Sequence, residues 1–490
     1  MGKQNLMSQF ALKTGLSIIW HFIEVFLSKG IHIITTLLLA WFLVPEDYAL
    51  VAMLTLFIAF SNVIVDAGFS QALLRQKTVT LVHLNTAFSV SLAIAVVVYV
   101  CFFITAPWVA TFYNAPALTD LLRVVSVTLF LQAFSLIPKN LLQRALAFKV
   151  QLKVMFPATL LSAACSILFA SMGFGVWALI LQIVLQAGFV SIFLYIKQPW
   201  SICWQFDRQA FNELWLFSRF IMFDALLSIP FKNIYLIVLP KFFASYLIGL
   251  YFMAAKVHEM LTYLLTEAIQ NVTYPALAKR QDQPEQLLSG YRQVMNTTTF
   301  IMFPVMLFLS ALAPLVFAVL LPQKWFDAAQ YLQIMAIAGI FYPLAAINLN
   351  ILKVVGAGRL LFYIGLFKYG LLVVILIFSL QFGEIEIVIW GHIFAAFIGY
   401  IPNAWYANKL IGYSIPAQLK DIGGNLLLSG AIAGGLYMIV SYVSLGGWWE
   451  LFLLGVSASL VYLGIAWLAK FPALLGLIGL FKQLREQRRH

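Results

Sequence analysis

Apolar windows of about 20 residues, the length a helix needs to cross about 30 Å of hydrocarbon, recur from one end of this chain to the other. They fall near 15–43, 48–69, 84–105, 118–138, 155–172 and 175–196, and after a polar connection near 215–239, 246–269, 297–320, 330–352, 360–381 and 387–407. Two more, near 423–443 and 449–469, precede a basic tail. With 63% apolar and 10% charged residues, such a chain has too few polar side chains to clothe a water-facing surface. A soluble enzyme is excluded, and so is a single anchor on a soluble domain. The expected fold class is an all-α integral membrane protein with about 14 transmembrane helices.

A net charge of +12 would point to nucleic acid in a soluble chain, but in a membrane chain the placement of the charges matters more than their sum. With the amino end in the cytoplasm, 23 Lys and Arg fall at cytoplasmic segments or helix ends, from Lys3 and Lys13 through Arg75, Lys77, Arg144, Lys149, Arg280 and Arg359 to Arg489. Three fall outside: Arg123, Lys241 and Lys324. That is a positive-inside distribution with both termini cytoplasmic. Loop charges, including Lys482, Arg485, Arg488 and Arg489 in the tail, then serve orientation and contact with lipid headgroups. Membrane lipids are expected partners and nucleic acid is not. The longest water-exposed stretches, 197–214 and 271–295, lie inside and read as linkers or short amphipathic helices, as the turn formers Gln281 to Glu285 indicate. At the amino end a basic stretch runs into a long apolar segment without a cleavage-site pattern, and Leu6 breaks the myristoylation motif. Cys101, Cys165 and Cys203 have no metal-like spacing and read as packing residues.

The two groups of six spans match each other. Pro45–Tyr48 and the residues after it match Pro240–Gly249, aligned on Tyr48 and Tyr246; Ala106-Pro107 matches Ala313-Pro314; Asn140–Lys149 matches Asn350–Arg359. Three matches in one order predict a duplication. Six helices separate equivalent positions, so both copies have the same orientation, related by an axis along the membrane normal, and two lobes face a central cleft suited to alternating access. The expected organisation is an N-terminal six-helix lobe (1–196), a cytoplasmic linker (197–214), a C-terminal six-helix lobe (215–410), helices thirteen and fourteen (411–470) and a basic cytoplasmic tail (471–490).

Lys29, Lys232, Lys256 and Lys368 lie within the apolar spans, where each ammonium costs about 2.5–3.5 kcal/mol if left in lipid. They must face protein or water. Glu24, Asp224 and Glu259 are the carboxylates nearby in sequence, Asp66 and Glu267 sit near cytoplasmic ends, and His32, His258 and His392 add titratable groups. Lys256 and Glu259, three residues apart, are placed to pair with each other. Glu24 and Lys29 are turned about 140° apart and need different partners. Asp224, Ser228 and Lys232 keep one polar face and are the best candidate lining of a cavity. Pro230 frees the carbonyl of Leu226, which predicts a kink beside these charges. Gly430 and Gly434 have the spacing of a close helix–helix contact.

No phosphate-binding loop, His-Glu-x-x-His, nucleophile elbow or Cys-x-x-Cys occurs. No cofactor, metal or catalytic residue is expected, and transport would draw on an ion or substrate gradient. Asn271-Val-Thr273 and Asn296-Thr-Thr298 fall on the proposed cytoplasmic side, away from any glycosylation enzyme.

Pro45–Met53, Asp66–Leu74, Ala106–Tyr113 and Gly173–Leu179, taken in order, resemble the polysaccharide-transporter branch of the multidrug, oligosaccharidyl-lipid and polysaccharide exporter superfamily. The chain looks like a lipopolysaccharide or colanic-acid type exporter across about residues 10–410. The resemblance implies a flippase that moves a polyprenyl-pyrophosphate-linked oligosaccharide across the bacterial inner membrane. Such an anionic, hydrophilic cargo suits Lys29, Lys232, Lys256 and Lys368 as pyrophosphate contacts, with Glu24, Asp224 and Glu259 as candidate H+ or Na+ sites. A polysaccharide polymerase complex is a further possible partner. Drug-exporting relatives carry an acidic coupling residue in helix seven; Asp224 does not align with it, so no coupling site is carried over. Two other readings stand beside this one. An exporter of small organic cations is disfavoured by mid-membrane lysines. A membrane-bound polysaccharide polymerase or ligase would be expected to present a sizeable catalytic loop, which this chain lacks.

Overall fold

In hydrocarbon a main-chain amide has no water to bond, so a membrane-spanning chain closes its hydrogen bonds within itself. The computed structural model describes residues 2–278, 283–442 and 447–476, and among them every regular element is a helix. The tail residues Lys482 to Arg489, Arg280, Gln281 and Asp282, and the side chains of Lys3, Lys13, Glu267, Asn271 and Thr273 lie outside what is described. Thirteen helical spans among the described residues are long and apolar enough to cross a membrane. The expected eighth span falls within one continuous helix, Ser245–Ala278. The chain divides into two compact units, Met1–Phe252 and Met253–His490. The boundary follows packing and falls inside that helix, whereas the sequence-based partition at 197–214 follows the repeat.

Unit 1 contains α1 (Gly2–Phe42), α2 (Pro45–Asp66), α3 (Phe69–Arg75), α4 (Leu81–Phe112), α5 (Leu118–Val125), α6 (Thr128–Arg144), α7 (Phe148–Ser171), α8 (Val176–Lys197), α9 (Arg208–Lys232), α10 (Ile234–Phe242) and the start of α11 (Ser245–Ala278). Its core gathers Phe69, Leu73, Phe88, Leu129, Ile137 and Leu214. The Asp66–Ser70 stretch is a turn between two helices. Ala67 and Gly68 both take left-handed dihedrals, Asp66 accepts hydrogen bonds from the Ser70 amide and hydroxyl, and Asn140 Nδ2 donates to Ser70 Oγ at 2.9 Å. Arg144 then donates to the carbonyls of Leu73, Gln76 and Lys77 that end α3, satisfying acceptors a helix C-terminus leaves open. The linker is a strap folded back on α4: Trp200 packs edge-on to Phe88 at 5.3 Å, Ser89 Oγ donates to Gln205 O, and the Asp207 amide donates to Thr86 Oγ1. Asp207 caps α9 by accepting from the Ala210 amide at 2.7 Å. Only Cys165 is even partly buried; Cys101 and Cys203 are exposed, so those two are not the packing residues expected.

Unit 2 contains the rest of α11, α12 (Pro284–Leu320), α13 (Ala328–Ala338), α14 (Phe341–Val354), α15 (Gly358–Leu380), α16 (Ile385–Ile411), α17 (Ile415–Tyr442) and α18 (Trp448–Leu468). Its main core joins α12, α14 and α16 through Tyr291, Met302, Phe303, Ile347, Ile351 and Ala404. α17 buries Ile422, Asn425, Ser429, Ala433 and Leu436, one stripe at helical spacing. Asn425 donates to Asn296 Oδ1 at 2.9 Å and Thr299 Oγ1 at 3.0 Å, and Arg292 grips Asp421 through two hydrogen bonds of 2.7 and 2.9 Å. Gly430 and Gly434 are not the contact expected of them. No neighbouring atom lies where their Cβ atoms would be, because the polar stripe, rather than the glycines, meets α12.

The repeat is visible in main-chain geometry. Helices α6 and α14 end with the same three hydrogen bonds: the amides of Ala145, Leu146 and Ala147 bond the carbonyls of Leu141, Gln143 and Leu142, and those of Val355, Gly356 and Ala357 bond Ile351, Lys353 and Leu352. Leu146 and Gly356 are the left-handed residues of the two caps, at φ 53° and 77°. The match of Pro45–Tyr48 with Pro240–Gly249 needs a shift of register. Leu43 and Phe243 occupy equivalent positions, each donating its amide to a leucine carbonyl four residues back, so the two turns align two residues away from the tyrosine pairing. The first of the two turns also meets the start of α11. Gly249 sits so close to the Pro45 main chain that a Cβ there would lie 1.8 Å from the Pro45 carbonyl oxygen.

Two stability measurements on the purified chain in detergent check these assignments. Gly249→Ala is expected to cost about 1–3 kcal/mol through overpacking against backbone that cannot yield. Gly356→Ala, which meets open space, is expected to cost only the left-handed strain, about 1–2 kcal/mol. An unchanged melting temperature in Gly249→Ala would contradict the close approach.

Candidate functional site

The ionisable residues expected in the spans fall into two groups, one per unit. In unit 1, Glu24 and Lys29 lie on α1, which packs mainly on α7. Glu24 is 8% exposed and Lys29 is exposed, as their rotation around the helix requires. Asp224 and Lys232 are both exposed on α9 and Ser228 is half-buried, so the polar face expected there exists. The Ser228 hydroxyl is turned back on the helix, donating to Ala225 O at 3.0 Å. α9 continues through Pro230 and stops at Lys232. Asn233 makes the break, with its amide and its Nδ2 both donating to Ile229 O. The helix break therefore falls at Asn233, three residues past the proline beside which a kink was expected. It places Lys232 in the last turn of α9, where a cation complements the helix dipole.

In unit 2, Lys256 Nζ lies 2.9 Å from Glu259 Oε2, the pair that the three-residue spacing predicts. Lys368 of α15 is half-buried, and its aliphatic stem lies against Gly399 of α16, where a Cβ would be 3.5 Å from Lys368 Cγ. The stem is thus covered by helix, as suits the aliphatic part of a lysine in an apolar setting.

The structure adds a cluster of which the sequence shows only two members. His258 of α11, Tyr342 of α14 and His392 of α16 come together: Tyr342 Oη is 2.8 Å from His392 Nε2, and the Tyr342 ring centroid lies 6.0 Å from that of His258 and 6.5 Å from that of His392. His258 is buried, with Nε2 3.3 Å from Thr262 Oγ1. Tyr342 carried no signal in the sequence, because its partner is 50 residues away on another helix. Of the seven charged candidates, the structure joins Lys256 to Glu259 directly, and Glu259 directly follows His258 on α11.

Comparison with known proteins gives one coherent picture. A family profile described as "Polysaccharide biosynthesis protein" matches residues 38–330, more than half of the chain. The teichuronic acid biosynthesis protein TuaB of Bacillus subtilis is 22% identical over 82% of this chain and 85% of its own length. The succinoglycan biosynthesis transport protein ExoT of Rhizobium meliloti is 26% identical over 69% of each chain. The lipopolysaccharide biosynthesis protein WzxC of Escherichia coli is 22% identical over 66% of each. Among solved structures, the lipid II flippase MurJ in an inward closed conformation superposes with a TM-score of 0.73 over 91% of this chain and 98% of its own, at 14% identity. An inward-facing multidrug resistance MATE family transporter gives 0.60 over 80% and 98%, at 15% identity. At such identities these two establish the fold alone.

Exposure of a lysine within an apolar span means either lipid or water, and accessibility to a charged reagent separates the two. In a chain lacking Cys101, Cys165 and Cys203, Lys29→Cys is expected to react with a membrane-impermeant sulfonated maleimide at least about tenfold faster than Glu24→Cys, since only a hydrated thiolate is nucleophilic. Equal, slow rates would place position 29 against lipid.

Proposed function

The chain belongs to the polysaccharide biosynthesis protein family, a branch of the polysaccharide transporters in the multidrug, oligosaccharidyl-lipid and polysaccharide exporter superfamily, and from that premise we propose that it is a flippase for a polyprenyl-pyrophosphate-linked oligosaccharide. The cargo moves from the inner to the outer leaflet of a bacterial inner membrane by alternating access, in a chain whose two termini lie in the cytoplasm. The reading rests above all on Lys29 and Lys232, which are exposed within spans otherwise built of apolar residues. Two ammonium groups facing lipid would together cost about 5–7 kcal/mol. A hydrated path that carries a pyrophosphate removes that cost and offers the charges phosphate oxygens.

The cargo is amphipathic, and the roles divide accordingly. Lysine presents a compact positive charge to phosphate oxygens, the sugars need water and hydrogen-bonding side chains, and the prenyl tail stays in the bilayer. The relatives named for teichuronic acid, succinoglycan and lipopolysaccharide biosynthesis support a glycan cargo while differing in the glycan. Asp224, on the same α9 face as Lys232, stands as a candidate ion site on this reading, as does the buried Glu24. An exporter of small organic cations would have to carry its cargo past exposed ammonium groups, which repel it.

Proteoliposomes containing a fluorescent short-chain prenyl-pyrophosphate-linked sugar test the proposal. The parent protein is expected to accelerate leaflet exchange over protein-free vesicles. Lys29→Ala and Lys232→Ala are each expected to slow it by about tenfold, the worth of one charge-assisted phosphate contact. Parent-like rates in both variants would remove the lysines from the mechanism. No acceleration by the parent would overturn the flippase reading itself.

A further inference from the structure

A groove of about 600 Å3 in unit 1 has no role in the transport scheme above. On α4, Ser89, Ala93 and Val97 make one row at four-residue spacing, and Val90, Ile94 and Val98 make a second row beside it. Ile64 of α2 and Phe206 of the strap complete the lining. Ser89 is the one polar residue of the set, and its hydroxyl is spent on Gln205 O at 3.3 Å. Water in a cavity needs two to four polar partners, which this lining does not offer. α4 is long and apolar enough to cross a membrane, so the groove is suited to a hydrocarbon chain.

Its direction and its mouth are both defined. α4 runs 32 residues from Leu81, so the groove extends from about 12 to about 26 Å along a helix about 48 Å long. It begins near the end that the proposed topology puts at the cytoplasm and stops near the middle of the span. The strap is pinned across the beginning: the Asp207 amide donates to Thr86 Oγ1 at 3.1 Å, and Trp200 and Trp204 pack on Phe88 at 5.3 and 6.0 Å. Phe206 packs on Phe211 at 5.8 Å yet stays 60% exposed, which leaves an apolar face at the mouth. Arg208, two residues further on, and Lys197, at the other end of the strap, are exposed. The carboxylates nearby are engaged. Asp207 accepts from the Ala210 amide, and Glu213 accepts from Gln76 and Gln209 and lies 3.0 Å from His83 Nε2.

We propose that this groove is a loading site for the cargo, which lays the first part of its prenyl tail along α4 behind Phe206 and sets its pyrophosphate at Arg208. This rests on the flippase reading for the identity of the cargo. At about 30 Å3 for each water-sized group, the groove has room for roughly 20 carbons, one chain rather than two. A prenyl pyrophosphate has one chain, and a bilayer phospholipid has two, of which one would be left outside. The direction also fits. A lipid of the inner leaflet has its head at the cytoplasmic surface and its tail toward the midplane, as the groove runs from Phe206 to Val98. At the mouth the planar guanidinium of Arg208 can donate two parallel hydrogen bonds to phosphate oxygens. The remainder of a longer tail leaves the groove at Val98 and continues in the bilayer. In this state the head still lies at the surface, ahead of its engagement by Lys29 and Lys232.

Photolabelling of the full chain in phospholipid nanodiscs with a diazirine-bearing geranylgeranyl pyrophosphate tests this. Label is expected to concentrate between Ser89 and Val98, about tenfold above the exposed face of α18, and to be competed by the same compound without the diazirine. Ala93→Trp fills the groove and is expected to lower the labelling about tenfold. Phe206→Ala removes the apolar lip without adding volume and is expected to act in the same direction, with the melting temperature of each variant showing that it is folded. Parent-like labelling in both folded variants, or label spread evenly over α4 and α18, would overturn the site. Equal labelling of the groove by a diazirine-bearing phosphatidylglycerol at the same mole fraction would overturn the prenyl assignment and make bilayer lipid the occupant. Geranylgeraniol, the alcohol of the same chain, is expected to compete about tenfold less well than the pyrophosphate in the parent and equally well in Arg208→Ala. An undiminished difference in Arg208→Ala would overturn the head contact. Leaflet exchange by the parent is read separately. Exchange without labelling of the groove would keep the flippase reading and discard this site, and labelling without exchange would do the reverse.

Discussion

A main-chain amide or carbonyl left without a partner in hydrocarbon costs several kcal/mol, and the architecture follows from meeting that demand at each place where a helix stops. Four of the apolar spans are two helices end to end, and in each the break is repaired locally. Asp66 and Asn140 converge on Ser70 between α2 and α3. Ser126 donates to Leu122 O at 2.6 Å and Thr128 to Val125 O at 2.7 Å between α5 and α6. Asn233 returns to Ile229 O between α9 and α10. Between α13 and α14 the Gly339 amide reaches the carbonyls of both Met335 and Ala336. At three of the four breaks short polar side chains sit where the helical ladder fails, and at the fourth the Gly339 amide bridges it.

The sequence shows what depends on composition and local spacing. Span length, apolarity and the Lys256–Glu259 pair are properties of neighbours along the chain, and the structure has them where the spacing puts them. The repeat was legible where it governs a helix cap, since Asn140–Lys149 and Asn350–Arg359 end with the same hydrogen bonds although one copy uses leucine and the other glycine at the left-handed position. It was misaligned by two residues at the Pro45 and Phe243 turns. There the identical tyrosines were matched by side-chain type, while the conserved feature is the main-chain turn. Gly430 and Gly434 show the same limit from another side. Small-residue spacing permits a close contact, but the contact forms where Asn425 finds Asn296 and Thr299.

The candidate site was legible only as a set of costs. Glu24, Lys29, Asp224, Lys232, Lys256, Glu259 and Lys368 stood out because charge in an apolar span needs an explanation; which of them meet is a matter of helices packing together. Tyr342 drew no notice because a tyrosine within a span carries no such cost. Its partner lies on a helix that only the fold brings alongside. His258 and His392 were visible as titratable groups, and nothing in a linear reading links residues so far apart.

The charged groups also differ in kind, and the difference bears on mechanism. Lysine in these spans is a fixed charge, whose availability depends on whether a carboxylate already holds it. Lys256 is held by Glu259 at 2.9 Å. A strong pair buried away from water would resist exchange. The Lys256 and Glu259 side chains remain 32% and 59% exposed, which keeps their mutual attraction small. On the proposed reading, in which an anion is bound on one side of a membrane and released on the other, contacts of this strength are firm enough to select phosphate and weak enough to be undone.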